Sequence, residues 1–245
     1  MRSGSISASR TAPRERRPRV GGLAPFSTLD YPGKLAAVVF VQGCPWRCGY
    51  CHNPHLQCAS TAGALGWTAV RELLHRRAGL IDAVVFSGGE PTADPALGEA
   101  AAEVRGLGFE VGLHTAGIYP RRLRRVLPSI DWVGIDVKAP FGRYDAVTGV
   151  ARSGAAALAS VEAVLEHARA YEFRTTFHPQ LLDEDDVLEI AGALARKGAR
   201  RFALQEFRAQ GCGDARLRQG TPRPSEGLLA ALRAMFTEFT FRSGA

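Results

Sequence analysis

The sequence predicts an α/β fold in which six strand–helix units build a parallel sheet. Short apolar runs rich in β-branched residues alternate with longer amphipathic segments along most of the chain, and this alternation is typical of parallel sheets with right-handed crossovers. Polar residues and glycines gather directly after the predicted strands, where parallel α/β folds bind their ligands. The pattern by itself fits both a partial (β/α)6 barrel and an open doubly wound sheet.

The predicted strands are short, as buried parallel strands are. The first covers residues 35–41 and has the sequence LAAVVFV, an apolar run suited to a strand that is covered on both faces. The other predicted strands cover residues 83–86, 109–113, 132–137, 173–177 and 201–204, with one more over 237–241.

The predicted helices lie between these strands and are located by their capping residues. The first covers residues 68–78 with Thr68 as its N-cap. The second starts at Asp94-Pro95, a cap followed by proline at the first helical position, and runs to about residue 105. Asp183 is the predicted cap of a helix over 184–196. The remaining predicted helices cover residues 120–127, 155–171 and 226–236.

Residues 1–19 are rich in arginine, and we predict a disordered basic tail there, followed by a single domain over residues 20–245. The tail carries six arginines and one acid, so it accounts for +5 of the net charge of +7 and leaves the rest of the chain nearly balanced. Such a segment is usually solvated, although a nucleic-acid arm or a transit peptide has a similar composition. We therefore do not expect a nucleic-acid partner. No apolar run approaches the roughly 18 residues that cross a bilayer, so we expect no membrane partner.

The five cysteines do not form the pattern of a disulfide scaffold. They are Cys44, Cys48, Cys51, Cys58 and Cys212, an odd number with four members close together. This distribution suits a metal or cluster site in a reducing compartment, which predicts a cytoplasmic protein. Cys58 and Cys212 are too few for a second cluster, and we expect them to be ordinary buried thiols.

The first three cysteines have the spacing Cys-x3-Cys-x2-Cys within GCPWRCGYCHNP, residues 43–54. Three thiolates can hold three irons of a cubane and leave the fourth iron open, whereas an electron-transfer cluster normally has four cysteine ligands. The open iron could then bind a substrate or cofactor. A zinc site that takes His52 or Cys58 as its fourth ligand is the alternative.

This loop resembles the signature of the radical S-adenosylmethionine (SAM) superfamily. Further motifs follow in the family's order: TLDYPGK at 28–34, CHNP at 51–54, SGGEPT at 87–92, DVKAP at 136–140 and FRTT at 173–176. In combination they resemble the activating enzymes of glycyl radical enzymes, over about residues 20–210. The resemblance implies a partial (β/α)6 TIM-like barrel.

The resemblance also implies the cofactors and their ligands. Cys44, Cys48 and Cys51 would carry a catalytic [4Fe–4S] cluster whose open iron binds SAM. Glu90 would pair with the ammonium of SAM, Lys138 would suit its carboxylate, and Tyr50 would pack against its adenine. The full set of implied cofactor-binding residues is Tyr50, Gly88, Gly89, Glu90, Thr115, Asp136, Lys138 and Arg174.

Two of these motifs have plainer interpretations. Gly88-Gly89 can be a simple strand-to-helix turn, and Asp136 with Lys138 can be a structural ion pair. The resemblance also has a gap, since relatives usually carry Asp in the Asp-Thr-Asn-Gly motif where this chain has His114. That Asp helps to bind a monovalent cation in related activases, and imidazole is a poor ligand for a hard cation. No cation site is therefore expected. His114, His178 and Gln205 follow predicted strands and receive no assigned role.

The implied reaction is a one-electron cleavage of SAM to methionine and a 5′-deoxyadenosyl radical, which takes a hydrogen atom from a backbone glycine of a partner. The implied partners are a glycyl radical enzyme, with anaerobic ribonucleotide reductase the nearest match, and a flavodoxin- or ferredoxin-type electron donor. The alternatives are an activase of the pyruvate formate-lyase type, a radical SAM enzyme with a small-molecule substrate, or a zinc-stabilised nucleic-acid-binding module.

Overall fold

An eight-stranded sheet forms the frame of the computed structural model, which describes residues 16–59, 65–218 and 223–243. Its strands are β1 (Val20–Ser27), β2 (Ala36–Val41), β3 (Ala83–Gly88), β4 (Glu110–Thr115), β5 (Trp132–Asp136), β6 (Tyr171–Phe177), β7 (Arg201–Glu206) and β8 (Glu238–Arg242). The helices are α1 (Trp67–Arg77), α2 (Leu97–Gly106), α3 (Pro120–Val126), α4 (Tyr144–Thr148), α5 (Ser153–His167), α6 (Glu184–Arg196) and α7 (Glu226–Met235).

The strands follow one another across the sheet in chain order, and all neighbours from β2 to β8 are parallel. A doubly wound sheet needs a point where the strand order reverses, and the described strands have none. Right-handed crossovers that always step in the same direction place the helices on one face of the sheet. The predicted partial (β/α)6 barrel is therefore confirmed, with β8 as an additional parallel strand.

β1 was not predicted, and it departs from the expectation of a sheet with only parallel strands. It pairs antiparallel with β2, so that Leu23 lies opposite Val39. Its sequence VGGLAPFS contains two glycines and a proline, which lower the strand propensity. An edge strand tolerates these residues because one side of its backbone needs no partner in the sheet.

The predicted helices agree best with the structure where a side-chain cap defines the start. α6 has the predicted bounds, and Asp183 and Asp186 form a reciprocal capping box. The predicted N-cap Thr68 is wrong, because Gly66 occupies that position without a side-chain bond. The helix predicted over 155–171 ends at His167, because Tyr171 already pairs with β5. The short helix α4 was not predicted.

The loop between β1 and β2 covers the inner face of the sheet. Tyr31 stacks on Trp132 with 5.3 Å between ring centroids, and its hydroxyl donates to Glu110 Oε2 at 2.7 Å. A Cβ atom on Gly112 would lie 3.1 Å from the Tyr31 ring, so the glycine makes room for this packing. The larger core lies between the sheet and the helices, and Tyr31 and Trp132 belong to a smaller core of their own.

Of the predicted tail, residues 1–15 lie outside the described residues. The guanidinium of Arg17 pairs with Glu103 of α2, and Arg19 Nε lies 3.6 Å from Asp94 Oδ2. The last residues before β1 thus lie along α2 and along the segment that precedes it. Among the described residues, no helix combines the length and the apolar character that crossing a membrane requires.

Candidate functional site

A cavity of about 360 Å³ opens at the carboxyl ends of the parallel strands. The predicted site residues that line it are Cys44, Cys48, Tyr50, Cys51, Gly88, Gly89, Thr115, Asp136, Lys138 and Arg174. Glu90 is the exception and lies behind the wall. The fold therefore brings together residues that are spread over more than half of the chain, as the strand-end pattern predicted.

The cysteine loop follows β2 and is held by backbone hydrogen bonds at its base and its tip. Gly43 N donates to Leu56 O at 2.7 Å, and Cys44 N donates to Gln57 O at 3.1 Å, which closes the base. Arg47 N donates to Thr148 O at 2.9 Å and fixes the tip against α4. These bonds place the three cysteines on a defined backbone instead of a free loop.

The Gly88-Gly89 turn packs directly against the base of the cysteine loop. Gly88 has a φ of +106°, which side chains disfavour. A Cβ atom on Gly89 would lie 2.4 Å from Gly43 O, so only glycine allows this approach. Gly89 N donates to Val41 O at 2.9 Å, and Glu90 N donates to Gly43 O at 2.8 Å. The turn thus fixes the position of Cys44 as well as lining the cavity.

Glu90 is fully buried, and its carboxylate is used within the protein. Oε1 accepts hydrogen bonds from Thr92 N at 3.0 Å, from the Thr92 hydroxyl and from Thr115 Oγ1 at 2.7 Å, and Oε2 accepts from Ala116 N at 2.9 Å. Burial raises the pKa of Glu90, while these donors lower it. The predicted pairing of Glu90 with the ammonium of SAM does not fit this position. Glu90 instead holds the ends of β3 and β4 together.

Asp136, Lys138 and Arg174 form a charged group on one side of the cavity. Arg174 Nε donates to Asp136 Oδ1 at 2.9 Å, and Lys138 Nζ lies 3.5 Å from Asp136 Oδ2. Burial opposes ionisation of Asp136, but the two cations outweigh it and lower the pKa of Asp136 to about 2. Gly134 makes room for the arginine, because a Cβ atom there would lie 2.9 Å from the guanidinium carbon. Two positive charges thus face the cavity with one compensating carboxylate.

Tyr50 belongs to the cysteine loop, between Cys48 and Cys51, and its side chain is almost fully buried. Lys138 Nζ lies 5.3 Å from its ring centroid and 3.5 Å from its hydroxyl. Its ring belongs to a small core with Phe207 and Cys212. The Tyr50 side chain therefore packs against Lys138. Its contact with an adenine ring stays a prediction.

His114 lies in the cavity wall and links it to the loop between β1 and β2. Its Nε2 donates to Asp30 O at 2.8 Å, and its Nδ1 lies 3.3 Å from Ser87 Oγ. Since a carbonyl oxygen can only accept, Nε2 carries a proton. Burial, together with the charge of Arg174, lowers the pKa of His114 to about 4.

The other residues without an assigned role divide between the cavity and the core. Gln205 lines the cavity. His178 is buried beside it, with its ring edge-on to Phe207 at 5.1 Å. Cys212 is buried, as predicted, whereas Cys58 is exposed, so the prediction of a buried thiol is wrong there. The cavity also contains polar residues that were not singled out, above all Thr176 and Asn53.

The donor set fits an iron–sulfur cluster better than a zinc ion. Within the residues that the structure describes, no three His, Cys, Asp or Glu side chains converge as the ligands of one metal ion do. A cluster is larger than one ion, so its thiolates lie further apart. His52, the proposed fourth zinc ligand, uses Nε2 to bind Arg208 O at 2.8 Å. Burial raises the pKa of Cys44 to about 12 and also raises that of Cys48, so metal binding must displace their protons.

Comparison with known proteins identifies the family. Residues 38–186 match the model of the Radical SAM superfamily. A Methanocaldococcus jannaschii protein whose name assigns it to the glycyl-radical enzyme activating enzymes is 32% identical over 221 residues, which cover 87% of this chain and 89% of the relative. The chain belongs to the radical SAM superfamily, among its glycyl-radical-activating members. Radical SAM enzymes use a [4Fe–4S] cluster and SAM, and the cysteine loop described above contains three cysteines that match the predicted cluster motif.

Two further comparisons support the family and the fold. The pyruvate formate-lyase-activating enzyme of Clostridium pasteurianum is 33% identical over 150 residues, or 56% of this chain and 59% of the relative. Streptococcus suis SuiB, solved with S-adenosylmethionine bound, superimposes with a TM-score of 0.60 over 83% of this chain at 12% identity. The superposition covers 48% of SuiB, so this chain spans about half the length of that protein and shares its fold.

Proposed function

We propose that this radical SAM enzyme generates a glycyl radical on anaerobic ribonucleotide reductase. The observation that carries the proposal is the convergence of three cysteines, a glycine turn and two cations on one cavity at the strand ends. A cluster needs the three thiolates. The amino acid and nucleoside parts of SAM need the cations and the glycine turn close to that cluster. Glycyl-radical-activating enzymes act on a partner enzyme, and the reductase is the finer assignment that we propose.

Each group would hold a different part of the cofactors. Cys44, Cys48 and Cys51 would bind three irons of the cluster. The backbone of Gly88-Gly89 would accept hydrogen bonds from the ammonium of SAM, since no side chain hinders the approach. Lys138 would pair with the carboxylate, because its ammonium lies in the wall and is only partly compensated by Asp136.

When bound, the cluster and SAM supply a one-electron cleavage of a carbon–sulfur bond and a carbon radical that takes hydrogen from glycine. The chain orients these groups and limits water around them. Trp46 and Tyr50, both largely buried, form the apolar side of the cavity next to the cysteines. The Thr115 hydroxyl donates to Glu90 and accepts from Gly117 N. Thr115 would therefore contribute to the shape of the SAM site more than to hydrogen bonding with SAM.

The partners complete the proposal. We propose a flavodoxin- or ferredoxin-type electron donor and a cytoplasmic location, from the half-buried position of Cys44, Cys48 and Cys51 at the cavity and from the cysteine pattern. Pyruvate formate-lyase is the second candidate partner, because a relative named for activating it matches 150 residues of this chain. The disordered tail over residues 1–19 and the single domain over 20–245 stay predictions.

Anaerobic purification followed by iron and sulfide analysis tests the cofactor proposal. We expect about four irons per chain and, after dithionite reduction, conversion of SAM to 5′-deoxyadenosine and methionine. Cys48→Ala should lose both, whereas Cys58→Ala, which removes a thiol outside the motif, should keep both. Stoichiometric zinc with no cleavage of SAM would contradict the proposal and favour the zinc-stabilised module.

Electron paramagnetic resonance tests the partner proposal. The reduced protein is incubated with SAM and either anaerobic ribonucleotide reductase or pyruvate formate-lyase. A glycyl radical signal on the reductase is the expected result. A signal only on pyruvate formate-lyase would replace the first candidate with the second.

A further inference from the structure

The cavity wall formed by β6, β7 and β8 carries a row of three polar side chains. Thr176 lies opposite Gln205 in the β6–β7 register, and Gln205 lies opposite Arg242 in the β7–β8 register. All three line the cavity. Adjacent parallel strands place such residues side by side on one face, so the row is a rigid surface and not a loop.

The two arginines on these strands that line the cavity are already paired. Arg242 donates two hydrogen bonds to the carboxylate of Glu172, at 2.7 and 2.9 Å. Arg174 donates to Asp136 at 2.9 Å. Both guanidinium groups therefore already have a carboxylate partner, and the unused hydrogen-bonding capacity of the row lies in its neutral members.

Thr176 and Gln205 make no side-chain hydrogen bond to another described residue. The neighbouring Thr175, which points to the other face of β6, donates to Val137 O at 2.9 Å. Thr176 and Gln205 are both half-buried. Because both residues line the cavity, the hydroxyl and the amide are open to water or to a ligand there.

The chemistry of these two groups matches a peptide backbone. A carboxamide offers both donors and an acceptor, and a hydroxyl offers one donor and two acceptor lone pairs, as the N–H and C=O of a peptide group require. Neither group is charged, so the pair does not select a charged side chain. A segment around glycine presents backbone groups without a side chain in the way.

The row also lies beside the cysteine loop. Phe207 follows Gln205 by two residues and stacks on His52, with 5.4 Å between ring centroids. His52 Nε2 binds Arg208 O at 2.8 Å, and a Cβ atom on Gly211 would lie 2.7 Å from His52 O. The chain that leaves β7 therefore packs on the residue after Cys51. A segment held at Gln205 would therefore lie close to the cysteine loop.

We propose that Thr176 and Gln205 bind the peptide backbone of the partner's glycine segment and position it for hydrogen transfer. This inference rests on the proposed function, because it supplies the substrate contact of the same cavity. The ribose hydroxyls of SAM are the other ligand that an uncharged amide and hydroxyl could bind, so the experiment must separate the two.

The test uses Gln205→Leu and the double variant Thr176→Val/Gln205→Leu in cluster-loaded protein. The control is Gln180→Leu, the same substitution at an exposed position that does not line the cavity. The probes are peptides that span the glycyl radical site of anaerobic ribonucleotide reductase or of pyruvate formate-lyase, with deuterium on the glycine Cα. Peptide KM, the deuterium content of 5′-deoxyadenosine and the Kd of SAM are measured.

We expect Gln205→Leu to raise the KM for the peptide about tenfold, the effect of one lost hydrogen-bonding pair, and the double variant to raise it further. The fraction of 5′-deoxyadenosine that carries deuterium should fall, while the Kd of SAM changes less than twofold. Gln180→Leu should match the wild type. A weakened Kd of SAM at an unchanged peptide KM would overturn the inference in favour of a ribose contact. No change in either would also overturn it. If the wild type transfers no deuterium from either peptide, the proposed function fails and the inference fails with it.

Discussion

Buried polar side chains determine the shape of the cavity at the scale of single residues. Glu90 accepts two hydrogen bonds from Thr92, which follows β3, and one each from Thr115 and Ala116 at the end of β4. His114 bridges β4 to the carbonyl of Asp30. The bonds from Thr115 and Ala116 to Glu90 and from His114 to Asp30 join residues that are distant in sequence, and each fixes an element that lines the cavity. The two residues therefore affect the proposed cofactor site by fixing the positions of the elements that line it.

Replacing Glu90 by glutamine tests this positional role. The amide keeps the size of the side chain but brings an NH2 group against donors such as Thr115 Oγ1 and Ala116 N. We expect Glu90→Gln to lower the free energy of unfolding by about 1–3 kcal/mol, the cost of leaving buried polar groups unpaired. Urea unfolding measures it. An unchanged stability together with a large loss of SAM affinity would show that Glu90 is a direct ligand instead.

His114 should make the stability depend on pH. Its pKa falls from 6.5 in the unfolded chain to about 4 in the fold, because burial and the charge of Arg174 disfavour the protonated ring. Asp30 and Asp136 favour the protonated ring and offset only part of this fall in pKa. The unfolded chain therefore takes up a proton first, and stability is lost as the pH drops below about 6.5. Between pH 7 and pH 5 the loss attributable to His114 should be roughly 2 kcal/mol.

The check is the difference in urea midpoint between wild type and His114→Gln over this range. Subtracting the variant removes the contribution of every other titrating group. The same pH slope in both proteins would contradict the depressed pKa of His114.

At the scale of elements, two consecutive turns form one unit. The Gly88-Gly89 turn after β3 packs against Gly43 at the base of the cysteine loop, and the backbone N–H groups of Gly89 and Glu90 donate to Val41 O and Gly43 O. The positions of the three cysteines thus depend on a turn more than thirty residues away. This explains why a glycine pair is needed at a position where other strand-to-helix turns accept side chains.

Gly89→Ala should therefore damage cluster binding without touching a cluster ligand. The new Cβ would overlap Gly43 O, and relieving such overpacking typically costs about 1–3 kcal/mol. We expect a lower iron content per chain after anaerobic purification. Gly106→Ala is the matched control, because a Cβ there meets nothing within 4 Å. Equal iron contents in the two variants would refute the dependence.

The sequence predicted elements whose signals are local and missed those whose signals come from distant partners. α6 could be placed because Asp183 and Asp186 cap it by themselves. β1 could not be predicted, because its glycines and proline lower the strand propensity and the strand forms by pairing with β2. The cysteines were predicted as cluster ligands from their spacing together with the resemblance to a known family. The internal role of Glu90 could not be foreseen, since its partner Thr115 is 25 residues away and meets it only after β3 and β4 pair.

At the scale of the whole molecule, one ion pair joins the last strand to the sheet interior. Arg242 of β8 reaches across β7 to Glu172 of β6. Glu172 is largely buried. The pair thus secures an edge strand that has a neighbour on only one side among the described strands.

Removing the cation should loosen β8 before the rest of the sheet. Arg242→Met leaves Glu172 buried without its partner, which we expect to destabilise the protein by roughly 2–3 kcal/mol, less than for a fully buried pair. Hydrogen exchange should accelerate in β8, with β3 to β5 unchanged. The double variant Glu172→Leu/Arg242→Met should recover part of the loss, because no unpaired charge remains. Uniform acceleration across all strands would argue against a local role.

The strand order has a final consequence for how a substrate can arrive. Since β1 and β8 are not paired with each other in the described part of the chain, the wall is a slot that is open along its length and not a ring. A ring admits a polypeptide only by a free end or by a narrow hairpin, whereas a slot admits the middle of a chain from the side. A glycine far from either terminus of its own protein can therefore be presented to this cavity and withdrawn again without threading.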